Sequence, residues 1–305
     1  MIVVSRFRNR GASVLAGLCL ATAGCAIPTR SNAPKPTLAE NPDAWELKWS
    51  DEFDTDGAPN PEKWGYEVGF VRNRELQYYT KNRRENARVE NGCLVIEGRV
   101  EKYKKTSDAT KTKGWRGRRD LAHHTSASLI TLGKMSWKYG RMEIRAKIPA
   151  GKGTWPAIWM MGANRPEVHW LRCGEVDILE FVGKKPDDVH SNVHYLANGK
   201  HRSKGTTFKV SPPPTDDFHV YALEWNENRM DFFYDGRKFH SFNVDDAGKG
   251  ADNPFRKPQY LILNLALGGS WGGKLDDSKA PWKFLVDYVR IYKRKQGAQK
   301  NNQTH

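Results

Sequence analysis

The chain has 305 residues, a formal net charge of +15 and a pI near 9.6. That length admits one large domain or two small ones, and the charge would suit nucleic acid, an anionic membrane surface or an anionic polysaccharide. No helix-turn-helix, zinc-finger or RNA-binding signature accompanies it, which argues against nucleic acid, and no C-x-x-C or H-E-x-x-H spacing offers a metal site.

In chain order, Arg6, Arg8 and Arg10 precede an apolar run, 11–24, too short to span a bilayer. Residues 1–24 read as a secretory signal, with Cys19 inside it. Thr22-Ala23-Gly24-Cys25 resembles a bacterial lipoprotein cleavage box, so Cys25 is expected to carry lipid and to be the one tie to a membrane. Ordinary cleavage nearby and free secretion is the alternative. Residues 25–42, rich in Pro, Asn, Ser and Thr, read as a flexible tether. From Trp45 on, short β-like runs recur between turn signals: Leu94 to Glu97, Arg141 to Ile148, Ala157 to Met161, Asn192 to Tyr195, Val220 to Trp225, Asp231 to Tyr234, Tyr260 to Leu265 and Val286 to Tyr292. Arg141 to Ile148 alternates polar and apolar, and Asp235-Gly236 is a hairpin turn signal. No long amphipathic helix competes, so residues 43–294 are expected to form an all-β, two-sheet sandwich. Residues 295–305 read as a disordered basic tail.

Glu101 to Asp120 stands apart, with eight basic residues against three acids and few apolar ones. It reads either as a solvated insertion or as a cationic rim that steers a charged substrate. Cys93 and Cys173 are either a disulfide or two buried thiols. Eleven Trp, 11 Tyr and 12 Phe offer flat faces to sugar rings, or simply fill the core.

The most informative stretch is Glu175-Val176-Asp177-Ile178-Leu179-Glu180, between Gly174 and Gly183. Its β-formers predict a strand, in which Glu175 and Asp177 share a face. Glu180 is an odd number of residues from Glu175 and would face the other way. One extra residue at Ile178 or Leu179, a β-bulge, returns it to the same face. Three acids on one strand are either a solvated face or a site for proton transfer and covalent attack, and paired carboxylates in a cleft are the machinery of glycoside hydrolysis.

These six residues match the bulged E-x-D-x-x-E signature of family 16 glycoside hydrolases. Further blocks carry the resemblance: Trp49-Ser50-Asp51-Glu52-Phe53-Asp54, Glu75-Leu76-Gln77-Tyr78-Tyr79-Thr80, Tyr139-Gly140-Arg141-Met142-Glu143, Gly153-Thr154-Trp155-Pro156-Ala157-Ile158-Trp159-Met160, Leu263-Asn264-Leu265-Ala266-Leu267-Gly268-Gly269 and Val286-Asp287-Tyr288-Val289-Arg290. Together they cover about residues 45 to 293, and the likeness is to the laminarinase branch. It implies a β-jelly-roll sandwich of two bent antiparallel sheets with a concave cleft, and endo-hydrolysis with retention. Glu175 would be the nucleophile, Glu180 the acid/base and Asp177 an electrostatic helper. Trp155, Trp159, Trp170 and Trp271 would stack on sugars, His194 would face the acids, and Asn73, Glu75 and Arg145 would bind sugar hydroxyls. Catalysis would need no cofactor. A structural calcium would be held by Glu52, the Gly92 carbonyl and Asp287, oxygen ligands of the kind calcium takes.

The expected partner is a polysaccharide, acted on by a monomer: β-1,3-glucan, with mixed 1,3/1,4 linkages as a variant. The alternatives are a galactan such as agarose, carrageenan, porphyran or β-1,3-galactan, a non-catalytic glucan-binding protein, and a transglycosylase.

Overall fold

The computed structural model describes residues 42–106 and 114–295. In chain order the strands are β1 (Trp45–Asp51), β2 (Gly65–Tyr66), β3 (Gln77–Tyr79), β4 (Ala87–Glu90), β5 (Cys93–Lys104), β6 (Leu121–Ser126), β7 (Ser128–Ile130), β8 (Gly140–Lys147) and β9 (Thr154–Gly162). They continue with β10 (Glu175–Glu180), β11 (Asp188–Ala197), β12 (Lys200–Lys209), β13 (His219–Trp225), β14 (Arg229–Tyr234), β15 (Arg237–Asn243), β16 (Gln259–Leu267) and β17 (Trp282–Arg294). The leader at 1–24, Cys25, the tether up to residue 41, the middle of the basic loop at 107–113 and the tail from 296 lie outside the described residues.

The ten-stranded sheet runs β15-β14-β13-β8-β17-β5-β6-β3, with β1 also paired to β17 and β4 to β5. The seven-stranded sheet runs β12-β11-β10-β9-β16-β7-β2. The two sheets face each other as a jelly-roll sandwich. Period-two alternation explains the packing. On β8, Met142, Ile144 and Ala146 enter the main core, leaving Arg141, Glu143, Arg145 and Lys147 on the opposite face. Strands β9 and β16 are buried at every position. One face of each packs on the main core, and the other forms a smaller cluster of Ala157, Trp159, Met161, Tyr260 and Ile262. Strands buried along their whole length read as near-continuous apolar runs, broken on β16 by Gln259 and Asn264.

All eight β-like runs fall on strands; seven extend past one or both expected ends, and β8 starts one residue before Arg141 and stops one short of Ile148. The Asp235-Gly236 turn joins β14 to β15, with φ of 46° and 78° at its two residues, the backbone a two-residue hairpin of type I′ requires. Two points differ from expectation, and one open alternative is decided. β3 pairs with β6 in parallel rather than antiparallel. Glu101–Lys104 is not loop but the end of β5, paired with β6. Cys173 carries a free buried thiol, so no disulfide joins it to Cys93; burial pushes that thiol up to about 11.

Candidate active site

β10 lies between β9 and β11, and the expected bulge is there. Its register slips between Asp177 and Leu179 against β9, and between Asp177 and Glu180 against β11. Val176, Ile178, Leu179 and Phe181 all enter the main core. Energetics select this arrangement. A regular strand would turn Leu179 outward, losing about 1.5–3 kcal/mol of burial, and would drive the Glu180 carboxyl into an apolar core. With the bulge, Glu175 stands beside Met161 and His194, Asp177 beside Trp159 and Asn192, and Glu180 beside Ala157 and His190. The three carboxylates therefore share one face, each glutamate two ladder steps, about 7 Å, from the aspartate.

They line a cleft of about 1400 Å³ over the open face of the seven-stranded sheet. Its floor includes Trp155, Trp159, Tyr260 and Asn264, and its wall comes from the 65–73 segment. That volume exceeds an ordinary small-molecule pocket and suits an extended chain.

Each acid has a distinct environment. Glu175 accepts a hydrogen bond from Trp170 Nε1 at 2.9 Å, and His194 Nε2 lies 3.8 Å from its other oxygen. Burial raises the Glu175 carboxyl, while His194, the Trp170 N–H and Arg72 pull it back. Glu180 accepts one neutral hydrogen bond, from Trp155 Nε1 at 3.0 Å. Burial, then Asp177 and Glu175, push the Glu180 carboxyl well above the usual carboxylate range. Burial and the neighbouring Glu175 also push Asp177 well up. The row thus separates one acid whose N–H, imidazole and guanidinium neighbours draw its carboxyl back down from one that burial and two acidic neighbours hold well above the usual range, the kind of division that acid/base chemistry near neutrality needs.

The tryptophans serve mainly as donors and packing. Trp155 is buried, meets Trp271 edge-on and donates to Glu180. Trp159 donates to Asn264 at 2.7 Å, and its ring is covered by the Arg72 guanidinium at 4.8 Å. Only Trp170, 48 % exposed, offers a broad open face. Trp271 packs against Trp155 and His190 at the margin. Because these N–H groups favour the ionised acids, Trp155→Phe should move the alkaline limb of the kcat–pH profile upward, and Trp170→Phe the acidic limb of kcat/KM upward. Unmoved limbs in correctly folded variants would rule out this tuning.

Asn73 and Glu75 reach the cleft as expected. Asn73 and Arg74 both have left-handed backbone (φ 52° and 54°), a tight turn that brings Glu75 into a bridge with Gly268. Glu75 accepts from Gln77 Nε2 at 2.7 Å and Asn73 Nδ2 at 3.3 Å, and burial pushes its carboxyl up to about 7. Arg145 is a correction. It belongs to β8 of the other sheet, on the face away from the core, where it pairs with Asp287 at 2.9 Å and covers the Phe218 ring. In the set expected to hold calcium, Glu52 forms a two-pronged pair with Arg290, and Asp287 pairs with Arg145 at 2.9 Å.

Several contributors escaped sequence reasoning. Arg72 pairs with Glu67, which also accepts from Ser128, and this buried network backs the cleft wall. His201 on β12 meets His194 Nδ1 through Nε2 at 3.0 Å and abuts the Trp170 ring. The basic segment, read from sequence as a solvated insertion or a cationic rim, is a different case: Arg119 anchors its end by donating to the carbonyls of Glu75 and Leu76, and Arg116 lines the cleft.

Cleaving a glycosidic bond takes one carboxyl to give a proton and another to meet the cationic carbon, along a trough that admits a sugar chain; this places the chain among the glycoside hydrolases. It belongs to the glycosyl hydrolases of family 16, whose profile matches residues 77–290. It is 44% identical over 261 residues to a β-glucanase of Rhodothermus marinus, covering 82% of this chain and 85% of that one. A solved family 16 non-specific endo-β-1,3(4)-glucanase superposes with a TM-score of 0.73 at 39% identity, covering 86% of this chain and 95% of the other. A structure from work on endo-acting O-glycanases that human gut bacteria use to begin mucin breakdown gives 0.77 at 38% identity, covering 89% and 98%.

Proposed function

We propose that the chain is a retaining endo-glycosidase that cuts internal β-1,3-glucan linkages, with mixed 1,3/1,4-glucans also accepted. One observation carries the reading: the bulge sets Glu175 and Glu180 on either side of Asp177, on one cleft face and with different neighbours. Glu175 attacks the anomeric carbon as the C–O bond breaks, and Glu180 gives its proton to the leaving oxygen. Water then attacks the glycosyl-enzyme, Glu180 takes the water's proton, and Glu175 leaves as carboxylate. Asp177, buried between them, raises the proton affinity of Glu180.

The likeness to endo-β-1,3(4)-glucanases supports the glucan. A galactose-containing or sulfated glycan is the second reading, favoured by Lys81, Lys105 and Arg116 along the cleft and by the O-glycanase likeness. Purified protein would be incubated with laminarin, mixed-linkage glucan, agarose, carrageenan and mucin O-glycans, and the products sequenced. Internal fragments from laminarin are the expected result. Release only from a galactan or mucin glycan would replace the glucan reading. Export by the 1–24 signal with lipid on Cys25 rests on sequence alone; intact-mass measurement of the exported protein reads both.

A further inference from the structure

The catalytic face holds a second arrangement that the hydrolytic reading does not use. His194 Nε2 lies 3.4 Å from Asp177 Oδ2 and 3.8 Å from Glu175 Oε1, and one ligand atom from each of the three residues falls within 4.8 Å of the others. Zinc bonds nitrogen and oxygen at about 2.0–2.2 Å, so neighbouring ligands of a tetrahedral ion sit about 3.4 Å apart. Each ligand is also turned toward the common point. Trp170 Nε1 holds the other Glu175 oxygen. His201 Nε2 bonds His194 Nδ1 at 3.0 Å, leaving Nε2 directed at the acids. Asp177 Oδ2 is buried and has no hydrogen-bond partner, in a residue only 3 % exposed. An ordinary zinc histidine is oriented through its second ring nitrogen in this way. The cleft leaves the fourth position open.

We propose that Glu175, Asp177 and His194 form an inhibitory site for zinc or a similar borderline divalent ion, with His201 as its outer positioning residue. Zinc there occupies the Glu175 carboxylate and stands where the sugar's anomeric carbon must come, so metal and polysaccharide exclude each other. No bond in substrate changes, and removal of the ion restores the enzyme.

Zinc chloride would be titrated calorimetrically into the whole protein in a non-chelating buffer, with no substrate present. One zinc per chain is expected, at least tenfold weaker in His194→Ala and in Asp177→Asn. His201→Phe, which keeps a ring against Trp170 but loses the bond to His194, is expected to weaken binding about tenfold or more. Glu180→Gln, outside the ligand set, should bind zinc as the parent does. Melting curves establish that each variant is folded. In the parent, zinc should inhibit hydrolysis in competition with substrate and be reversed by a chelator, with an inhibition constant matching the calorimetric one. Undiminished binding in both His194→Ala and Asp177→Asn would move the ion to other surface histidines and overturn the proposal, as would zinc bound without inhibition. Since the titration needs no sugar, failure of the glucan reading leaves its outcome intact.

Discussion

Glu175→Gln and Glu180→Gln are each expected to lower kcat on polysaccharide by about 10³-fold or more, because each removes a group acting on the reacting atoms. Their signatures should differ. Glu180→Gln lacks the proton for a poor leaving group, so an aryl glycoside whose phenolate leaves unaided should still give a burst of phenol before the glycosyl-enzyme stalls. Glu175→Gln has no nucleophile and should give no burst. Pre-steady-state kinetics separates the two, and a burst from Glu175→Gln would reverse the assignment. Stability supplies a second readout. Burial raises the folded-state Glu180 carboxyl well above its unfolded value, so between those values the folded chain binds more protons and the protein loses stability as pH rises. The amide has no such proton to lose. Glu180→Gln should therefore melt above the parent at pH 8, with the gap closing toward pH 4.

Arg141→Ala should be the most destabilising single change far from the cleft. Its guanidinium, 1 % exposed, bonds Glu143 Oε2 at 2.9 Å and Glu224 at 2.8 Å. Glu143 is equally buried and also accepts from Tyr288 at 3.0 Å. Removing the arginine leaves a buried carboxylate without its cation, a change that costs about 3–5 kcal/mol. Replacing both partners by apolar residues of similar size, Arg141→Met with Glu143→Leu, should recover most of that loss. Denaturant unfolding of the parent, both single variants and the double tests this. A double variant no more stable than Arg141→Ala would show that the loss lies in packing rather than in the orphaned charge. Activity per folded molecule should not change, because the pair lies on β8 of the other sheet.

Much of the site was legible before any coordinates. Glu175, Asp177 and Glu180 could be put on one face because strand alternation is a local rule, and one odd spacing within it admits a simple remedy, the bulge. Asn73 and Glu75 followed from the family's blocks. Arg145 was misplaced for the reason the acids were not. Alternation tells that Arg145 faces away from Met142 and Ile144, but not that β8 belongs to the sheet remote from the cleft. Trp155 and Trp159 were rightly put near the acids, yet the partners of their indole N–H groups and the arginine lying on Trp159 are 25 to 105 residues away. His201 carries no sequence signal, since only the pairing of β11 with β12 brings it to His194.

By itself, then, the sequence determined the strand-rich class, the bulged row of acids and the chemistry that row can perform. Hydrophobic alternation and the cost of burying a carboxylate act within a few residues and are written in their order. The tertiary structure alone decided which faces meet: which sheet Arg145 joins, which arginines hold Glu52 and Asp287, and which indoles and histidines surround the acids. Those contacts depend on the pairing of strands distant along the chain, and no local pattern of residues encodes that pairing.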